Sequence, residues 1–345
     1  MALDPGTGAE LWEYRGGSAG RPGRGADPFA RDEARPNEAG VGALQDFQLA
    51  DGRLYCLRDQ KELVAINSET GAADWTYSAA GSTINPRFWI GTERIVLQAR
   101  KPNQLVVLEA EHGGRVGRLS LAEGEGLERA PVPIDEDHVL VVPDRRTVKN
   151  LDLSRCQFTW DYRESAEMPV NGPPRVFVDA ERVLVLHDGK LLIRLDPING
   201  SKRWSSVLGI EDLSERPEAI ACDERRAYCA SHKMLRAFSM DDGTALWGHH
   251  LTGPENALWS VGLSDQYVFA YPSLPGLSDQ EFGSMPLVVR AKETGALLQR
   301  FLFNATIASV QLRLDTRGAL VATPHALWGL GRREAGAASG KEPIP

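Results

Sequence analysis

Seven histidines, four cysteines and one acid–amide pair are the groups in this 345-residue chain best suited to chemistry. Their spacing argues against most of it. No two of the histidines (112, 138, 187, 232, 249, 250 and 325) stand at i, i+4 with an acid between them, the arrangement zinc hydrolases use on a helix. His249 and His250 sit on or just after a strand, where neighbouring side chains point to opposite faces and cannot share one ion. Cys56, Cys156, Cys222 and Cys229 form no CxxC and no other metal-ligand spacing. Cys222 and Cys229 flank the turn Asp223–Arg226 and could come within reach of a disulfide; the preferred reading is two small buried apolar side chains. There is no GxSxG elbow and no GxxxxGK[ST] loop. The glycine run Gly16–Gly20 lacks the strand–helix setting that phosphate binding needs. Glu255-Asn256 has the chemistry of half a calcium site, yet one such dipeptide in an acidic chain reads as a solvated loop. No cofactor and no metal are expected, and the chain reads as a non-enzyme.

The elements around these residues are set by a repeat. Ala2–Trp12 reads ALDPGTGAELW, and the same pattern returns as Ala65–Trp75, Asn150–Trp160, Arg194–Trp204 and Ala237–Trp247, with weaker copies at Val107–Gly117 and Arg290–Gln299 and a degenerate one ending at Gly336. The turn positions are 8, 71, 113, 156, 200, 243, 295 and 336, so most units are close to 43 residues long. That is the length of a four-stranded propeller blade. Inside a unit, four short runs rich in Val, Leu and Phe alternate with turns, as in Arg175–Val178, Arg182–His187, Leu191–Asp196 and Lys202–Val207. Glycine at the repeated turn supplies a left-handed backbone without steric cost. Trp12, Trp75, Trp160, Trp204 and Trp247 follow four residues later on the outermost strand, where an indole can cover the turn and fasten one blade to the next.

This Ala/Leu-x-Asp-x-x-Thr-Gly-x-x-x-Trp repeat resembles that of the pyrroloquinoline-quinone-like propeller family over nearly the whole chain. The family spans quinone-dependent alcohol dehydrogenases, the lipoprotein of the outer-membrane barrel assembly machinery and propeller modules of signalling proteins. The resemblance speaks for the fold and is silent on function. Its quinone enzymes use a vicinal cysteine pair beside the cofactor, and an acid and an Asn on calcium; this chain has no Cys-Cys, and those ligands do not map onto it. The expected architecture is all-β, a seven-bladed β-propeller of four-stranded antiparallel blades. The N-terminal outer strand at Leu11–Tyr14 pairs with the C-terminal strands of Ile307–Leu330 to close the ring; eight blades is the alternative. One domain then covers 1–333, with a polar tail at 334–345 expected to lack order.

Composition excludes several partners. The net charge is −8, no Lys/Arg cluster interleaves with aromatics, and no apolar run could span a bilayer. Nucleic acid and membrane insertion are therefore not expected. Two units exceed the norm, through insertions at 15–40 and 271–286. In a meander both emerge on one edge of the sheets, where long loops tend to carry recognition. The first is rich in Gly, Pro and charge, reads as disordered unless bound, and has Phe29 as its one aromatic; the second carries Leu274, Leu277 and Phe282. The polar starts of the inner strands, among them Asn85, Asn171, Glu255 and Asn256, offer a second surface on the same edge, or more plainly hydrate a channel. These readings add up to a monomeric protein-interaction scaffold, cytoplasmic, or periplasmic if a leader was removed. The alternative is a small-ligand or quinone binder, or a relic of a quinoprotein dehydrogenase, using the central channel.

Overall fold

The computed structural model describes residues 2–3, 10–12, 44–79, 81–165, 172–179, 182–187, 190–208, 219–231, 233–252, 259–272, 285–303, 311–315, 318–323 and 326–331. Among them there is no helix; every regular element is a strand. The chain divides into two compact units, 1–180 with 197–200, and 181–196 with 201–345.

In the first unit β1 (Ala2–Leu3) pairs with β2 (Glu10–Trp12). Three four-stranded antiparallel meanders follow. They are β3–β6 (Leu44–Ala50, Arg53–Arg58, Glu62–Asn67, Ala73–Ser78), β7–β10 (Trp89–Ile90, Arg94–Arg100, Asn103–Glu109, Arg115–Ser120) and β11–β14 (Val132–Pro133, His138–Val141, Thr147–Asp152, Gln157–Arg163). β15 (Arg175–Asp179) ends the unit, and the second opens with β16–β18 (Arg182–His187, Leu191–Leu195, Lys202–Val207). The second unit continues with β19–β22 (Ala219–Cys222, Arg226–Ala230, Met234–Ser239, Ala245–His250) and β23–β26 (Trp259–Leu263, Tyr267–Pro272, Met285–Ala291, Leu297–Phe303). A three-stranded sheet, β27–β29 (Gln311–Asp315, Gly318–Thr323, Ala326–Gly331), completes it. Six sheets among the described residues thus carry the four antiparallel strands that the repeat predicts.

The middle strands explain their own composition. β5 and β9 are apolar runs because both of their faces are covered. Val96, Leu105 and Val107 pack with Val139, Val141, Leu151 and Leu153 of the following sheet. The alternate residues Ile95, Leu97, Val106 and Leu108 pack with Tyr55, Leu57, Leu63 and Ala65 of the preceding one. A period-2 strand between two apolar neighbours must be apolar at every position. The fourth strands alternate instead, as β6 and β22 do, with one face on a neighbour and one in solvent.

All six sheets also share one irregularity. The register of the third and fourth strands slips by one residue, after Ala65, Asn150, Arg194, Ala237 and Val289 and between Arg115 and Gly117. Such a bulge re-aims the side chain beside it. In four of the sheets that side chain is a tryptophan.

Candidate functional site

The repeated tryptophans meet the repeated glycines one sheet further on. Trp75 Nε1 donates to Ala110 O at 3.1 Å, Trp160 to Pro197 O at 2.9 Å, Trp204 to Met240 O at 2.8 Å and Trp247 to Lys292 O at 3.1 Å. Each acceptor lies three residues before a turn glycine: Gly113, Gly200, Gly243 or Gly295. Those glycines have φ of 68°, 70°, 76° and 69°. A Cβ on any of them would stand 2.5 or 2.6 Å from the docked indole. Glycine is needed there twice, for the left-handed backbone and for the bare surface on which the ring lies. The side chain of Trp12 lies outside the described residues.

Local partners differ between junctions. Tyr55–Ala65–Trp75 and Tyr228–Ala237–Trp247 run in register across three strands. The small central Ala lets each tyrosine reach its tryptophan, with ring centroids 5.9 Å apart in both. At Trp204 the central residue is Arg194, whose Nη1 adds a second donor, 2.5 Å from Met240 O. The turn receiving Trp247 is anchored by an ion pair, Lys292 Nζ to Asp223 Oδ2 at 2.9 Å, with the lysine side chain 9% exposed. Partial burial of the Asp223 carboxyl works to raise its pKa. The Lys292 ammonium and the backbone N–H groups of Arg225 and Arg226 outweigh that, and the carboxyl titrates below the usual range.

A second set of contacts runs along the starts of the first strands in the first unit. Asn85 was expected on a partner-binding surface, and the structure corrects this: it is 5% exposed and its hydrogen bonds are spent internally. Its Nδ2 donates to Gln98 Oε1 at 2.7 Å and to Leu127 O at 3.1 Å, while Oδ1 accepts from Arg87 N at 3.0 Å. A buried amide must satisfy itself in this way. Beside it, Arg87 Nη1 also donates to Leu127 O, at 3.1 Å, and Arg129 Nε donates to Pro174 O at 2.9 Å. Each arginine reaches the start of the next first strand. Burial, and then the charges of Arg175 and Arg87, draw the Arg129 guanidinium below its ordinary pKa. Sequence reasoning missed this relay, although Arg at 87, 129 and 175, each near the start of a first strand, is a signal of it.

On the other edge of the same sheets, a cleft of about 540 Å³ opens between the β7–β8 and β11–β12 turns. Its walls include Trp89, Ile134 and Val178, from the first strands of three successive sheets or the turns beside them, and its rim carries Glu93, Asp135, Glu136 and Asp137. A Cβ on Gly91 would fall 2.2 Å from Trp89 Cη2, so the bare glycine lets the indole fold over its own turn and form a wall.

Of the remaining sequence-derived candidates, Phe29, Asn171, Glu255, Asn256, Leu274, Leu277 and Phe282 lie outside the described residues. All four cysteines are free thiols. Cys222 pairs in register with Ala227 and Cys229 with Ile220, which sets the two thiols diagonally across the hairpin instead of face to face. Burial pushes Cys56 up to about 11 and Cys229 up to about 12, leaving both protonated and poorly nucleophilic. No trio of His, Cys, Asp or Glu among the described residues is placed to hold a metal ion.

The family model described as "Outer membrane protein assembly factor BamB" matches residues 1–116 and 101–270. The chain belongs to this family of PQQ-like repeat β-propellers. Membership accounts for the meanders and for the repeat that joins them. No curated protein matches the chain. Among solved structures this PQQ-like chain is similar to BamB from Moraxella catarrhalis, at 16% identity and a TM-score of 0.47, covering 80% of this chain and 92% of that one. It is also similar to the computationally designed Ika8 protein, at 13% identity and a TM-score of 0.50, covering 84% and 96%. At 13% identity the likeness to the Ika8 protein speaks for the fold alone.

Proposed function

We propose that the chain is a non-enzymatic β-propeller scaffold for protein–protein interaction, with its partner on the edge that bears the insertions at 15–40 and 271–286. In this reading the blades number seven, with the N-terminal outer strand completing the three-stranded β27–β29 sheet. The observation that carries the proposal is the fate of the recurrent side chains. Trp75, Trp160, Trp204 and Trp247 spend their N–H groups on carbonyls of the following sheet. The repeat is thereby framework, and recognition falls to the segments that interrupt it. A family whose model is described as an assembly factor supports the same reading.

The test begins with a partner identified by crosslinking and then purified. Removing residues 19–36 and changing Phe282→Ala should each weaken its binding to the intact chain. Equal affinity of both variants and the parent protein would overturn the proposal.

A further inference from the structure

The cleft beside Trp89 is lined by the β7–β8 and β11–β12 turns and by Val178 of β15, so it goes beyond the reading above and stands independently of it. At about 540 Å³ it falls within the range of roughly 300–1,000 Å³ found for ligand sites. Its lining sets the apolar side chains of Trp89, Ile134 and Val178 beside a group of acids. Trp89, Ile134 and Val178 are each half-buried, so every wall keeps part of its surface open. Around them stand four carboxylates, Glu93, Asp135, Glu136 and Asp137, against one guanidinium, Arg94.

That lone cation does little to neutralise the rim. Arg94 Nη1 donates to the backbone oxygen of Glu93 at 3.1 Å and stays 4.0 Å from its carboxylate, which is 80% exposed. Asp135 is the one carboxylate committed locally, with its Oδ1 taking Asp137 N at 2.8 Å and lying 2.9 Å from His138 Nδ1. Those contacts hold the turn that presents Glu136 and Asp137. Both of these are exposed, and neither carboxylate has a side-chain partner among the described residues. An indole beside a ring of anions favours cations twice, by charge and through the ring face.

We propose that this cleft receives a cationic peptide segment of a partner protein. A Lys or Arg head would sit at the Glu93 and Glu136–Asp137 rim, with its alkyl stem and an apolar neighbour lying against Trp89 and Ile134. Long basic side chains suit such a site because they keep apolar stems buried while their heads stay at a charged rim. An acidic peptide is repelled by the same rim.

The experiment uses the intact purified chain and a fluorescein-labelled KLKLKL peptide, with ELELEL, KGKGKG and spermidine as comparators. KLKLKL should bind, and ELELEL should not. Raising salt from about 0.05 to about 0.5 M should weaken the complex. The double substitution Glu136→Gln with Asp137→Asn should lower affinity about three- to tenfold, as expected for two rim charges. It alters only exposed side chains, so an unchanged Tm verifies folding. Absence of KLKLKL binding, or binding undiminished in the double variant, overturns the proposal. Equally tight binding of KGKGKG or spermidine does so too, since a bare polycation site would not need the apolar walls. Loss of the 19–36 segment should leave KLKLKL binding intact, which separates this site from the insertion-bearing edge.

Discussion

Trp75 on the Gly113 turn and Gly117 on the Cys156 turn are successive junctions of the same repeat, built in opposite ways. At the first, a large side chain from the fourth strand lies on a turn residue that has none. At the second, the fourth strand offers Gly117, and the turn position that is glycine elsewhere holds Cys156 at φ 52°. A Cβ on Gly117 would meet Cys156 Cβ at 2.7 Å and Sγ at 3.0 Å. The bulk has crossed the interface. Cys156 accepts a left-handed backbone that costs an L-residue about 1–2 kcal/mol, and in return fills space that an indole fills at the other junctions. What the junctions share is therefore a filled volume, and the identity of the residue supplying it is secondary.

The contrast can be broken most severely at a tryptophan. Trp204→Ala removes a buried indole and its bond to Met240 O, leaving Arg194 as the remaining donor to that carbonyl. It should cost about 3–5 kcal/mol in chemical denaturation, the range for truncating a core aromatic. A loss below about 1 kcal/mol would mean that these contacts do not hold the sheets together.

Asp223→Asn probes the next level, the support of a receiving turn. It strands Lys292 with its ammonium mostly buried, and should cost about 2–3 kcal/mol at pH 7. That is less than for a fully buried pair, since a quarter of the Asp223 side chain is exposed. The folded protein holds this carboxyl below its ordinary pKa, so its contribution is complete above about pH 4 and fades as pH falls through the depressed value. Stability curves of the two proteins should accordingly be parallel at neutral pH and converge in acid. A constant gap down to pH 2 would remove the ion pair as the cause.

The mildest effect sharpens the comparison most. Gly117→Trp alone meets Cys156 and should cost about 1–3 kcal/mol through overpacking. Adding Cys156→Gly rebuilds the arrangement of the neighbouring junctions, so the pair should recover most of the loss, with a coupling of about 0.5–3 kcal/mol in a double-mutant cycle. Strict additivity would show that the two residues do not share one volume.

Much of the framework was legible in the sequence because tryptophan and glycine recur at a fixed offset. The exchange at Gly117 and Cys156 was not. It shows up as two unrelated lapses in successive repeats until the fold places one on the other. The receiving carbonyls of Ala110, Pro197, Met240 and Lys292 were hidden for a different reason, since a backbone oxygen carries no signature in residue type. Asn85 misled because a polar residue at a strand start reads as exposed, whereas here it is a buried node that joins Gln98 to Leu127. The cleft was invisible because Glu93 and Asp135–Asp137 look like solvated turn charges until Trp89 and Ile134 appear beside them.

The tryptophan clamps also point one way along the chain, and this bears on synthesis. Each indole is made 35, 37, 36 or 45 residues before the carbonyl that will receive it. At roughly 5–20 residues per second, a newly emerged sheet waits about 2–9 seconds with its indole uncovered. At each of these four junctions the nascent chain thus trails one sticky end until arrival of the next turn retires it.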